Sequence, residues 1–244
     1  KKGLANILNG LKGTKEYEEF CKVAELKFAV SSFMGYGLYG EGIYDLDEFL
    51  NRFEKFLKWI NGEMGNEHQR HIAKNVEYVF IAGDLVDGCG IYPEQDKELI
   101  IKDIYEQYNE CARLLKQIPQ HIPLIVCPGN HDALRISEPQ PILSKNYAKP
   151  LHELNNIIMV SNPSLINIHA SENFSGFDVM MYHGYSFDYF VAEVDSLRNQ
   201  GGYDRADLIM KFLLRRRHLA PTHSSTLYIP DAKRDPLVIE KVPD

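Results

Sequence analysis

IPLIVCPGNHD, residues 122–132, decides the fold, because a run of apolar residues passes directly into turn-forming and polar ones. A continuous apolar run of this length reads as a strand buried on both faces. Asparagine is a poor strand residue, so Asn130, His131 and Asp132 mark the point where the strand gives way to a loop. The same switch occurs twice more. VEYVFIA, residues 76–82, ends in Gly83-Asp84, and FDVMMY, residues 177–182, ends in His183-Gly184. In open α/β sheets ligands bind beyond the carboxyl ends of the strands. Three polar strand ends in one chain therefore point to a site.

Outward from these strands, KFAV (27–30) reads as a short strand followed by a glycine-rich loop from Ser31 to Gly42. Asp45 with Glu48 three residues on reads as a helix start. Phe49, Leu50, Phe53, Phe56, Leu57 and Ile60 then give helical periodicity over 46–60. A long helix is predicted over 96–117, with a stripe of Ile101, Ile104, Tyr105, Tyr108, Cys111, Leu115 and Ile118. Short strands are expected near 157–160 and 165–169, and a helix over 204–214. Strands alternating with helices argue an α/β fold with a mainly parallel or mixed sheet. The expected organisation is one domain over 27–244, with 1–26 an unassigned N-terminal segment.

The 244 residues are 44% hydrophobic, 25% charged and 11% aromatic, which excludes a disordered or collagen-like chain. No apolar run reaches the about 18 residues of a membrane span, and KKGLANILNGLKG is too polar and broken for a secretory leader. A cytoplasmic protein without membrane partners is expected. The chain lacks an initiator Met and ends at KVPD, so it reads as a piece of a longer protein, truncated at its C-terminal end. Lys and Arg number 27 and Asp and Glu 34, a formal charge of −7. Bulk charge therefore does not advertise nucleic-acid binding, although a metal or a partner subunit can supply a positive field. Cys21, Cys89, Cys111 and Cys127 show no CxxC spacing and read as reduced, buried thiols.

The strand ends offer a carboxylate, an amide oxygen and imidazoles. Such ligands suit Mn²⁺, Fe²⁺, Zn²⁺ or Mg²⁺ rather than a thiolate-preferring metal. Singly, Gly83-Asp84 is compatible with a turn and His183 with a structural histidine. Their recurrence with GNHD is what singles them out.

These residues resemble the metallophosphoesterase, or calcineurin-like, superfamily, whose pattern runs D-x-H, GD-x-x-D, GNH-D, a lone His, then GH-x-H. The surrounding text, GDLVDGCGIYPEQ, CPGNHDALRISEPQP, YHGYSFDYF and SLRNQGGYDRADLIMKFLLRRRHLAPTHSSTLYIP, resembles the small subunit of archaeal family-D DNA polymerases over residues 45–244. That family is the proofreading 3′→5′ exonuclease partner of a large polymerase subunit. The resemblance implies a four-layer α/β/β/α sandwich with two mixed sheets. It also implies two divalent ions, Mn²⁺ first among them, that clamp a phosphodiester and activate a water. Position by position it makes Asp84 the bridging metal ligand and Asn130 and His183 ligands of the second metal. His131 becomes the catalytic group that contacts the scissile phosphate and protonates the leaving oxygen. Asp87 and Asp132 would orient the loop or fix the His131 tautomer. The implied partners are the large catalytic subunit and the single-stranded 3′ end of DNA.

Two departures stand against this. Ser32 and Met34 occupy the D-x-H positions, with Glu41 or Asp45 as conceivable substitutes, and GH-x-H would fall after Asp244. A non-catalytic scaffold subunit with a degenerate metal site is therefore the alternative. A free-standing phosphodiesterase is a third reading, weakened by the polymerase-like text. Arg215, Arg216 and Arg217 read either as charge at a helix end or as a DNA or partner contact. Tyr185, Phe187, Tyr189 and Phe190 read as core or as a platform for an unpaired base. His223 reads as structural, and His68 and His71 as a solvated face.

Overall fold

The computed structural model describes residues 46–222 and 224–244, with side chains from Phe53 onward. The KFAV strand, Cys21, Ser31, Ser32, Met34, Glu41, Asp45 and His223 lie outside the described residues. The described chain divides into two compact units. One comprises 46–126, 131–133 and 143–159; the other comprises 127–130, 134–142 and the residues from 160 on. The class is mixed α/β, as the alternation of elements predicts.

In the first unit, α1 (Leu46–Ile60) packs on α2 (Glu67–Lys74). Phe53, Leu57 and Ile60, on one helical face, are buried. Helix α2 starts at a reciprocal cap. The Asn66 side chain accepts from the Gln69 N–H, and the Gln69 side chain accepts from the Asn66 N–H, each at 2.9 Å. His68 and His71 lie on this helix and are exposed. Strands β1 (Val79–Ala82), β2 (Leu124–Cys127) and β3 (Ile157–Met159) form a sheet in the order β1-β2-β3. β2 and β3 run parallel, with Leu124 opposite Ile157 and Val126 opposite Met159. All four residues of β2 are buried, which is why its sequence is apolar without alternation.

The predicted helix over 96–117 is shorter than expected. A 3-10 turn covers Gln95–Lys97, and helix α3 spans Ile104–Leu115. The Asp103 carboxylate sets its start, accepting from the N–H groups of Tyr105 at 2.8 Å and Glu106 at 3.1 Å. Tyr105, placed by periodicity on the buried stripe, is 50% exposed and stacks at 5.7 Å on Tyr147 of α4 (Lys145–His152). The buried stripe is Tyr108, Cys111, Leu115 and the following Ile118. Helix α4, against which α3 packs, has no counterpart among the sequence expectations. Pro150 and the non-helical Ala148 interrupt its pattern.

In the second unit, β4 (Ser164–Ile168) pairs antiparallel with β5 (Phe177–Met181), Ser164 opposite Met181. Helices α5 (Phe187–Glu193), α6 (Asp195–Arg198) and α7 (Ala206–Arg216) bury Phe190, Val191, Leu197, Ile209 and Leu213 together. The aromatic run after His183 is thus mainly core. Phe190 packs on Phe212 at 5.4 Å, and Phe187 and Tyr189 are partly buried against the same cluster. Leu219, Ala220, Leu237 and Ile239 form a second cluster, with Met180 and Tyr182 against it.

Cys111 and Cys127 are buried free thiols, as expected, but Cys89 is exposed. It sits on a loop with its Sγ 3.2 Å from the Lys102 carbonyl oxygen. Among the described residues no helix is long and apolar enough to cross a membrane.

Candidate functional site

GNHD divides between the units: Asn130 belongs to the second, His131 and Asp132 to the first. Each unit therefore carries its own group of strand-end residues.

In the first unit β1 ends at Ala82, and Gly83 and Asp84 both take positive φ, 87° and 51°. The turn presents a buried Asp84 carboxylate, and its Oδ1 accepts the His131 N–H at 3.0 Å. The His131 ring is held as well. Its Nδ1 lies 2.9 Å from the Asp87 backbone carbonyl, and the Asp87 carboxylate is 4.0 Å from the same nitrogen. A carbonyl oxygen only accepts, so Nδ1 carries a proton. Asp132 is held by the loop after β1 and by α3. Its Oδ2 accepts the Leu85 N–H at 3.4 Å and its Oδ1 the Tyr108 hydroxyl at 3.1 Å. The Tyr108 oxygen in turn accepts the Ala133 N–H at 2.9 Å. Burial, and then the Asp132 carboxylate, push the Tyr108 phenol far above its ordinary range, so it stays a donor.

Two glutamines that sequence reasoning passed over brace the loop after Asp84. Gln95 donates to the Asp87 carbonyl at 3.0 Å and accepts the Ile91 N–H at 2.9 Å. Gln107 accepts the Gly88 N–H at 2.9 Å and donates to the carbonyls of Gly88 at 3.0 Å and Ile101 at 2.8 Å. The Asp87 carbonyl thus receives both Gln95 and the His131 ring, and loop and imidazole are held as one piece. Gln107 lies on the buried side of α3, an anomaly for glutamine that a helical projection could have flagged.

In the second unit, Asn130 Oδ1 lies 2.8 Å from His183 Nε2. The residues holding this pair are Gln140, Asn162 and Glu138, all buried. The Asn162 Oδ1 accepts the His183 N–H at 2.8 Å, and Gln140 donates to the Gly129 carbonyl at 3.0 Å. Glu138 accepts the hydroxyls of Tyr182 at 3.0 Å and Thr226 at 2.9 Å. Burial pushes the Glu138 carboxyl up, while its donors from Thr226, Tyr182 and Asn162 pull it down. Glu138 and Gln140 fall in the segment CPGNHDALRISEPQP, which sequence reading singled out only for its family resemblance.

The basic run is partly committed inside the second unit. Arg217, with φ 59°, donates to the carbonyls of Ile239 at 3.0 Å and Glu240 at 2.7 Å. Arg216 lies over the Phe212 ring at 3.3 Å, and Arg215 is exposed.

The family of DNA polymerase alpha/epsilon B-subunits matches residues 42–244, which include every residue of both groups. The chain belongs to that polymerase family. Its relatives include the DNA polymerase II small subunit of Methanothermobacter thermautotrophicus, 47% identical over 191 residues, 78% of this chain and 38% of the relative. The small subunit of Methanocaldococcus jannaschii is 44% identical over 195 residues, 80% of this chain and 31% of the relative. That of Pyrococcus abyssi is 43% identical over 192 residues, 79% of this chain and 29% of the relative. The chain spans less than two fifths of the length of each of these relatives.

The donor chemistry of the second group fits a divalent ion. Two donors on one such ion, each about 2.1 Å from it and at about a right angle, stand about 3 Å apart. Asn130 Oδ1 and His183 Nε2 stand at 2.8 Å. An amide oxygen with an imidazole suits a borderline ion such as Mn²⁺. The set is partial: among the described residues no three His, Cys, Asp or Glu side chains gather into a possible ion site.

Proposed function

We propose that this chain is the metal-dependent 3′→5′ exonuclease part of the small subunit of a family-D replicative DNA polymerase. It would act in the cytoplasm, on the single-stranded 3′ end, together with a large catalytic subunit. The observation that carries the reading is the convergence of Asn130 and His183 at the ends of two strands, 2.8 Å apart. In this reading the two sheets belong to a four-layer metallophosphoesterase sandwich. Asp84, Asn130 and His183 would hold divalent ions, two Mn²⁺ in the complete protein, with Mg²⁺, Fe²⁺ or Zn²⁺ as alternatives. Such ions supply charge neutralisation at the phosphodiester and a more acidic water.

The chain's own residues do the rest. The Asp84 carboxylate fixes the His131 backbone, and the Asp87 carbonyl fixes its ring. In this reading Nε2 would give a proton to the departing 3′ oxygen. Asp132 and Tyr108 tie the loop after β1 to the segment after β2. With a formal charge of −7, and Arg216 and Arg217 engaged within the chain, DNA delivery falls to the large subunit.

The test uses the full-length small subunit with its large subunit. Mn²⁺ should support excision from a single-stranded 3′ end, and chelation should abolish it. His131→Ala should slow excision about 10²–10⁴-fold, the range for a lost general acid, with Mn²⁺ content unchanged. Loss of metal in that variant would mean that His131 is a ligand. Absence of chelator-sensitive excision in the wild type would overturn the reading in favour of a scaffold subunit. Ser32 and Met34 at the D-x-H positions, together with the partial donor set, favour that second reading.

A further inference from the structure

We propose that Asn162, Gln140 and Glu138 are positioning residues that hold Asn130 and His183 as a convergent donor pair. The proposal deepens the reading above and rests on it for the identity of the ligand. Asn162 uses all of its polar side-chain atoms. Oδ1 accepts the His183 N–H at 2.8 Å, and Nδ2 donates to Gln140 Oε1 at 2.7 Å and Glu138 Oε1 at 3.2 Å. Gln140 does the same, its Nε2 donating to the carbonyls of Gly129 and Arg135, each at 3.0 Å. The main chains of Gln140 and Asn162 also exchange both hydrogen bonds, at 2.7 and 3.0 Å. Gly129 precedes Asn130, and Tyr182, whose hydroxyl donates to Glu138, precedes His183. The residue before each donor, and the His183 N–H itself, are therefore anchored to one cluster.

That cluster is 0% exposed at Glu138 and Asn162 and 2% at Gln140. Each amide orientation is fixed by its partners, because a flipped Asn162 or Gln140 would set donor against donor or acceptor against acceptor. The groups that donate to Glu138 are neutral: an amide and two hydroxyls. Burying a carboxylate among neutral donors costs free energy that an apolar filling of the same volume would not. Stability alone does not account for such a cluster. Registering two strand-end loops to within a hydrogen bond does, since buried, fully paired polar networks specify one arrangement.

The experiment compares the full chain with Asn162→Ala, Gln140→Met and, as a control of equal or greater destabilisation, Leu213→Ala in the separate apolar cluster. The first readout needs no metal. Long-range ¹H–¹⁵N correlation of the histidine rings should show His183 as one fixed tautomer. Asn162→Ala and Gln140→Met should replace it with an averaged signal, and Leu213→Ala should leave it intact. The second readout is Mn²⁺ affinity by electron paramagnetic resonance. It should fall about 10–100-fold in the first two variants, as for lost outer partners of a ligand, and stay unchanged in Leu213→Ala. An unchanged His183 tautomer in both Asn162→Ala and Gln140→Met would overturn the positioning role. Should Asn162→Ala fail to fold, Gln140→Met decides alone. A wild type that binds no Mn²⁺ would sink the metal reading, while the ring signals would still decide the positioning.

Discussion

Replacing Gly88 by alanine should cost more than the same change at Gly90, and the excess should appear at His131. The two glycines have nearly the same backbone, φ 77° and 75°, so both alanine variants carry the same left-handed strain of about 1–2 kcal/mol. Their surroundings differ. A Cβ at Gly90 meets nothing within 4 Å, whereas one at Gly88 lies 2.5 Å from the His131 carbonyl oxygen and 2.8 Å from Ile91 Cγ1. Ordinary van der Waals contact begins near 3.4 Å, so loop or histidine backbone must shift by about 0.9 Å. Gly88 is not free to give way, because Gln107 holds both its N–H and its carbonyl. An overpacked, pinned contact of this kind costs roughly 1–3 kcal/mol beyond the strain. Urea unfolding of the two variants should therefore separate them by that amount, with Gly88→Ala the weaker. If the chain is the proposed exonuclease, a displacement approaching 1 Å at His131 should slow excision by up to about 10²-fold, with Gly90→Ala near wild type. Equal midpoints for the two variants would refute the reasoning, because the strain they share would then be the whole effect.

Glu138→Gln should change the pH dependence of stability. Burial raises the folded Glu138 pKa above its unfolded value, so its contribution is fully present below the unfolded value, near 4.5, and is lost as pH rises through the folded one. Urea midpoints of the wild type should fall relative to Glu138→Gln over that rise, and parallel profiles would contradict the assignment. Arg217→Ala should lower stability by about 1–3 kcal/mol through two lost charge-assisted bonds to the Ile239 and Glu240 carbonyls, whereas Arg215→Ala should stay within about 0.5 kcal/mol. If Arg217→Ala unfolds like wild type while DNA binding by the polymerase complex falls, the arginine is a nucleic-acid contact instead.

What the sequence made legible, and what it hid, follows from the range of each interaction. Strand β2 could be read because burial on both faces writes an unbroken apolar run, and Asn130, His131 and His183 could be read because polar residues end such runs. The start of α3 was misplaced because Ile101 and Ile104 satisfy helical periodicity, while the stop signal is a side-chain bond from Asp103 to two N–H groups. Tyr105 fits the stripe by spacing, yet its neighbour is Tyr147 on the surface, a contact across 42 residues that no local window contains. Gln95, Gln140 and Asn162 were invisible for a related reason. Each is an ordinary polar residue in a polar stretch, and its meaning lies in backbone groups four to 21 positions away.

The same range argument bears on whether the chain is catalytic or only a scaffold. A subunit kept for assembly needs its surface and its core, and apolar residues fill a core at lower cost than buried amides and a carboxylate. Mutations that replaced Glu138, Gln140 or Asn162 by apolar residues would be tolerated in such a subunit. They would loosen only the loops at Asn130 and His183. Here each polar atom of that cluster has its partner, down to the two protons of each amide. The loop after β1 is braced with equal completeness by Gln95 and Gln107. On the exonuclease reading, the fixed placement of strand ends in each unit would serve groups that meet a ligand in a defined geometry. On that ground the His131 and Asn162 variants, rather than tests of assembly, are the experiments that separate the two readings.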